Sequence, residues 1–343
     1  MKLNRGINLG GYLSQCKHSQ SHYAEFITEE DIKRIAGWGF DHVRLPFDFE
    51  VIEDFNGNTI KEGYELIHKI ISWCKESKLE IILDLHKAHG YDFNDAGNKE
   101  KNNLFSDPLL QARFVELWKK IAKEFCKYEN VTFELLNEVV ESENAEAWNS
   151  LIDRTVNAIR EICDTNIIYG GIQWNSPQTV RLLEKPKHKN IIFTFHFYEP
   201  LLFTHQKAHW VGRMDKNETV FYPKTMEYFK KQSVKLGDQG LAVINSEVKA
   251  MGAEFIESLV MEAIDAAKKV GIMLYCGEFG IIDQAPVQDT LRWFQDMEAV
   301  FTKHNIGCAI WTYKEKDFGL IGSHYDEIRE DLISLWTNTD KNL

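Results

Sequence analysis

The chain has 343 residues, 52 acidic against 40 basic, for a formal charge of −12. That balance repels a phosphate backbone and excludes nucleic acid as a partner, while an apolar content of 44% and a charged content of 27% exclude a disordered or fibrous chain. Neutral ligands suit it better than acidic ones. The six cysteines, Cys16, Cys74, Cys126, Cys163, Cys276 and Cys308, show no C-x-x-C spacing and read as reduced small hydrophobes. Met1 to Gly6 carries no apolar signal segment and no run is long enough for a membrane span, so a cytoplasmic, membrane-free protein is expected. A secreted chain already relieved of its signal would read identically.

Arg5-Gly6-Ile7-Asn8-Leu9 reads as a first strand closed by Gly10-Gly11, and Thr28-Glu29-Glu30-Asp31 as the capped start of a helix running to Gly39. Strand two is Phe40 to Pro46. Leu66, Ile67, Ile70, Ile71 and Cys74 fall at helical spacing, and strand three follows from Leu79 to His86. A polar loop from Gly90 to Asn103 leads into a helix from about Asp107 to Tyr128. Strand four, Val131 to Leu136, is apolar enough to be buried on both faces yet runs straight into Asn137-Glu138.

The alternation continues with a helix near Asn144–Cys163, strand five at Asn166–Gly170, a helical segment after Pro177 and strand six at Asn190–Tyr198. Residues 199–252 break the rhythm and are expected to form an inserted subdomain. A helix at Ala253–Val270, strand seven at Gly271–Glu278, a helix near Val287–His304, strand eight at Ile306–Trp311 and a last helix at Ile328–Trp336 complete the chain. Eight strands alternating with helices predict one (β/α)8 TIM barrel over residues 1–343. No G-x-G-x-x-G loop follows strand one, which argues against a doubly wound sheet.

Active sites of such barrels lie at the strand C-termini. Arg44, His86, Asn137, Glu138, His196, Tyr198, Glu278 and Trp311 all fall there. Singly, each has a plain explanation: Arg44 as a buried ion-pair partner, a glutamate near a helix N-terminus, a histidine satisfied in the core, a tryptophan packed. Together they place two carboxylates in one pocket beside an arginine, which suits acid/base and covalent chemistry at an acetal carbon.

These blocks, Asp41-His42-Val43-Arg44-Leu45-Pro46, Leu83-Asp84-Leu85-His86, Leu136-Asn137-Glu138, His196-Phe197-Tyr198, Gly277-Glu278-Phe279-Gly280 and Trp311, resemble glycoside hydrolase family 5, the cellulase family, in order along nearly the whole chain. The layout is most similar to the family's clostridial endoglucanases without a signal peptide. The resemblance implies a retaining endo-β-1,4-glucanase acting on cellulose-like or mixed-linkage β-glucan, with Glu138 as acid/base and Glu278 as nucleophile. It further implies Asn137 on the 2-hydroxyl of the −1 sugar, Arg44 and Tyr198 on Glu278, His86 and His196 lining that subsite and Trp311 as its floor. The second histidine of the family's His-His pair is Lys87 here, followed by Ala88-His89, which puts any contact made by that imidazole in doubt. Phe203-Thr204-His205-Gln206 resembles segments that lie beside the site in relatives.

Trp210, Trp174 and Tyr91 are further candidates for aromatic sugar platforms, or for plain packing. No cofactor and no metal are expected, and a monomer is. A β-mannanase of the same family is the alternative. A metal-dependent barrel hydrolase would draw on His86, His89, His196 and Glu278 but lacks H-x-H on strand one, and a non-catalytic sugar-binding barrel would have to keep both carboxylates idle.

Overall fold

The computed structural model describes residues 3–337. Eight parallel strands, β1 (Arg5–Asn8), β2 (His42–Asp48), β3 (Glu80–Lys87), β4 (Val131–Glu134), β5 (Ile167–Gly170), β6 (Ile191–Phe197), β7 (Met273–Phe279) and β8 (Gly307–Ile310), pair in sequence order. Closure comes from β1 pairing β8 in the register Ile7↔Ile310, while Ile7 also faces Val43 of β2. The expected (β/α)8 barrel is the observed fold.

Helices Glu29–Gly37, Lys61–Glu76, Pro108–Phe125, Ala145–Arg160, Ala253–Val270, Val287–His304 and Arg329–Thr337 surround the strands. Their ends follow local chemistry. Asp31 accepts from the Thr28 N–H at 2.9 Å, and Asp107 accepts from the Leu109 N–H at 2.8 Å ahead of Pro108. Gly271 at φ 74° turns the chain out of Ala253–Val270 into the seventh strand.

Several elements differ from expectation; β4 ends at Glu134 rather than Leu136, and β6 spans Ile191–Phe197 rather than Asn190–Tyr198. The helix after β5 is only a 3-10 segment, Pro177–Leu182, and the long helix Ala253–Val270 packs beside it. Gln173, Trp174 and Asn175 all hold positive φ just before it, so the chain spends its length on a loop over the barrel mouth instead of a full helix. β8 is also shorter than expected, ending at Ile310, so Trp311 stands just beyond the strand. Residues between Pro200 and Gly252 fold into short helices at Leu201–Thr204, Met226–Ser233 and Leu241–Ile244, with a 3-10 turn at Val234–Gly240.

Strand alternation divides the interior by height. Leu3, Ile82, Ile168, Ile192, Tyr275 and Ala309 form a small apolar cluster of their own. Two residues further along the same inward rows come Asp84, beside Glu134, and Thr194, beside Gly170. The barrel is therefore sealed below and polar towards its C-terminal mouth.

Candidate active site

Arg44 is fully buried and organises that polar layer. Its Nε and Nη2 donate to the two oxygens of Glu134 at 2.7 and 2.9 Å, and Nη1 donates to Asn8 Oδ1 at 3.0 Å and to Glu278 Oε1 at 2.7 Å. Nη2 also reaches Asn137 Oδ1 at 2.9 Å and Asp84 Oδ2 at 3.0 Å. Only a planar guanidinium offers five donors in that fixed fork. Against the cost of burial, the charges of Asp84, Glu134 and Glu278 keep it protonated.

Glu278 receives a second donor, the Tyr198 hydroxyl, at 3.0 Å. Burial, with the nearby Glu278 and Glu138 carboxyls, holds Tyr198 as a phenol, so it can only donate there. Glu138 has no such cation. Among the described residues its one side-chain partner is His196 Nδ1 at 2.8 Å, and burial pushes its carboxyl up to about 7. His196 is driven down to about 4 by its own burial and stays neutral near pH 7. Oxygens of Glu138 and Glu278 lie within 4.8 Å of each other, with His196 Nδ1 2.8 Å from Glu138 and 3.7 Å from Glu278. One carboxyl thus sits on an arginine and a tyrosine while its neighbour tends to hold a proton.

The pair Asp84 and His86 is tied at 2.6 Å, Nδ1 to Oδ2, and burial sets both against charge, Asp84 at about 7 and His86 at about 4. The His86 ring lies parallel to Trp311 at 5.9 Å between centroids, 5° apart in plane, and its Nε2 is 3.4 Å from Gln15 Nε2. Eight expected residues, Arg44, His86, Asn137, Glu138, His196, Tyr198, Glu278 and Trp311, therefore line one mouth, linked by hydrogen bonds and ring contacts. Register shifts at Phe195/His196 and at Cys276/Phe279 fall where β6 and β7 deliver His196 and Glu278.

The outer aromatics divide. Trp174 and Trp210 are 45% and 47% exposed, open enough to meet a ligand. Trp174 is tied to the segment after Glu138 by its N–H on the Val139 carbonyl at 3.2 Å, and Trp210 meets His205 edge-on, whose ring in turn lies edge-on to Tyr198 at 5.0 Å. Tyr91 is not a platform. It is buried, accepts from the Val140 N–H at 2.7 Å and donates to Glu141 at 3.1 Å. His89 turns away to Glu53 at 3.1 Å, so the four residues of the metal-dependent reading are not brought together.

Asn8, Asp84 and Glu134 hold Arg44 yet escape a reading confined to strand ends. Their signal was present: a polar residue inside an apolar run, at even spacing from the terminal one, as in Asp84 two before His86. Lys87, in place of the family's second histidine, pairs with Asp92 at 2.8 Å and lies 3.9 Å from Asp48.

A (β/α)8 barrel with two facing carboxyls at its C-terminal mouth defines a barrel glycoside hydrolase. The cellulase model, glycosyl hydrolase family 5, matches residues 6–317. The chain is 39% identical to endoglucanase C of Acetivibrio thermocellus over 336 residues, covering 96% of each chain. It is 38% identical to cellodextrinase A of Ruminococcus flavefaciens over 315 residues, covering 90% of this chain and 86% of that one. Cel5A of Thermotoga maritima, solved in complex with mannotriose, superposes with a TM-score of 0.73 at 25% identity, over 97% of each chain. The protein belongs to glycoside hydrolase family 5, the cellulase family.

Proposed function

We propose that the protein is an endo-acting β-1,4-glucanase that cleaves cellulose-like or mixed-linkage β-glucan by double displacement. The observation that carries this reading is the Glu138–Glu278 pair. One oxygen of each lies within 4.8 Å of the other, nearer the roughly 5–5.5 Å carboxyl separation of retaining enzymes than the roughly 6.5–9.5 Å of inverting ones. Glu138, pushed up to about 7, gives its proton to the glycosidic oxygen as Glu278 attacks C1 and the C1–O bond breaks. Glu138, now ionised, takes a proton from water, whose oxygen attacks C1 and releases Glu278.

The other residues act on these two. Arg44 and Tyr198 hold and orient the Glu278 carboxylate. Asn137, whose Oδ1 is fixed by Arg44, is left with its amide N–H for the 2-hydroxyl of the −1 sugar. His86 and His196 line that subsite, Trp311 floors it, and Trp174 and Trp210 supply outer stacking faces. Residues 199–252 are an insertion in a single catalytic domain that shores up the site, since Thr204 Oγ1 bonds the Tyr198 carbonyl and the Ile282 N–H reaches the Thr204 carbonyl at 2.9 Å.

A second reading, action on β-mannan or glucomannan, is favoured by the mannotriose complex of the Thermotoga protein. Reducing-sugar release from mixed-linkage β-glucan, carboxymethyl cellulose and glucomannan ranks the two readings. Glu278→Gln is expected to abolish release from every substrate. Full activity in that variant, or none in the wild type, would overturn the proposal.

A further inference from the structure

Beyond the sugar site, the flank of the barrel mouth formed by the ends of β1 and β2 holds a second group of ligating side chains. His18 lies on the loop after β1, Asp48 is the last residue of β2, and Glu50 sits in the 3-10 turn that follows. One atom from each lies within 4.8 Å of the others. We infer that His18, Asp48 and Glu50 form a binding site for a single divalent cation of the Zn2+ type.

A hydrogen-bonded tether is the simplest competing account, because His18 Nε2 meets Asp48 Oδ2 at 3.1 Å and so pins the β1 loop to β2. It leaves two oxygens unexplained. Asp48 Oδ1 and Glu50 Oε2 are buried, and neither accepts a hydrogen bond from any described residue. Asp48 is only 1% exposed, so its bare oxygen is shut off from solvent. Two buried carboxylate oxygens without donors are costly, and a cation shared between them removes the cost.

The geometry suits zinc better than calcium. A tetrahedron with bonds of about 2.1 Å has edges of about 3.4 Å, and His18 Nε2 and Asp48 Oδ2 already stand near that spacing. Glu50, the more exposed carboxylate, needs to draw in to complete three protein ligands, leaving one position for water. Calcium would need about 6–8 oxygens, and one nitrogen with two carboxylates falls well short. Ligating histidines characteristically donate through the other ring nitrogen, and His18 Nδ1 is 2.6 Å from the Tyr23 hydroxyl oxygen. Cys16 Sγ lies on that same side, 3.8 Å from Nδ1. Lys87 stands close by, at 3.9 Å from Asp48, and its nearer partner Asp92 can keep it when the metal enters.

The test is calorimetric titration of the chelator-stripped full chain with zinc chloride, comparing wild type with Glu50→Gln, His18→Gln and Glu278→Gln. One equivalent is expected to bind the wild type, to weaken at least tenfold in both Glu50→Gln and His18→Gln, and to persist in Glu278→Gln. Melting curves of the stripped variants, expected to match the stripped wild type, show that the loss is not unfolding. The proposal is overturned if the wild type binds no zinc, or if both Glu50→Gln and His18→Gln bind as tightly as wild type. It also fails if the bound equivalent is lost in Glu278→Gln instead, which would place the cation among Glu138, His196 and Glu278.

Discussion

One fixed positive charge, on Arg44, faces four carboxyl groups: Asp84, Glu134, Glu138 and Glu278. Burial sets three of the four, Asp84, Glu134 and Glu138, against charge, and protons on Glu138 and Asp84, both pushed up to about 7, reduce the imbalance. A pH dependence follows with a definite sign. If Glu138 is the acid, kcat/KM should fall tenfold per pH unit above about 7, as the required proton is lost. Stability should show the same group. The folded-state value of Glu138 lies above its ordinary one near 4.5, so the folded chain holds more protons than the unfolded chain in between. Its contribution is therefore complete below about 4.5 and is lost as pH rises towards about 7. Denaturation of Glu138→Gln at pH 5 and pH 8 should show the variant gaining on the wild type by a few kcal/mol at the higher pH. Arg44→Ala works in the other direction: it strands Glu134 and Asp84 without their cation, and should cost about 3–5 kcal/mol in chemical denaturation as well as activity.

At the scale of elements, the site depends on how closely neighbouring strand ends approach. A Cβ on Gly10 would come within 2.8 Å of Trp311 Cη2 and of Thr312 Oγ1. Gly10→Ala should therefore push the indole off its position parallel to His86, lowering activity at least tenfold while the melting curve moves by a few degrees. Activity that survived intact would show that Trp311 is not the floor of the sugar site. The same scale explains what the sequence disclosed. Strands buried on both faces and ending in polar groups are legible because their pattern is local, and so were Arg44, Asn137, Glu138, His196, Tyr198 and Glu278. Asn8, Asp84 and Glu134 were less legible because their task is to hold Arg44 across the barrel, a contact between residues far apart in the chain. The 3-10 segment Pro177–Leu182 could not be told from a helix, since its shortness follows from the turn at Gln173–Asn175 and from the space already filled by Ala253–Val270. The separation of Glu138 and Glu278 is likewise set by barrel closure, which no window of sequence contains.

At the scale of the whole molecule, the charge of −12 is a property no single site explains, and it makes a prediction about substrates. A net negative field raises the work of bringing an anionic polymer to the barrel mouth, and salt screens that work over a Debye length of about 10 Å at 0.1 M. Neutral glucan carries no charge for the field to act on. Turnover of mixed-linkage β-glucan at low substrate should thus be nearly independent of ionic strength, whereas kcat/KM on carboxymethyl cellulose should rise several-fold between about 10 mM and 200 mM salt. The effect belongs in KM, because the chemistry proposed for Glu138 and Glu278 would take place among buried groups that salt screens little. A parallel rise on the neutral glucan, or a rise confined to kcat, would mean that salt acts on the site itself and that the overall charge plays no part in choosing the polymer.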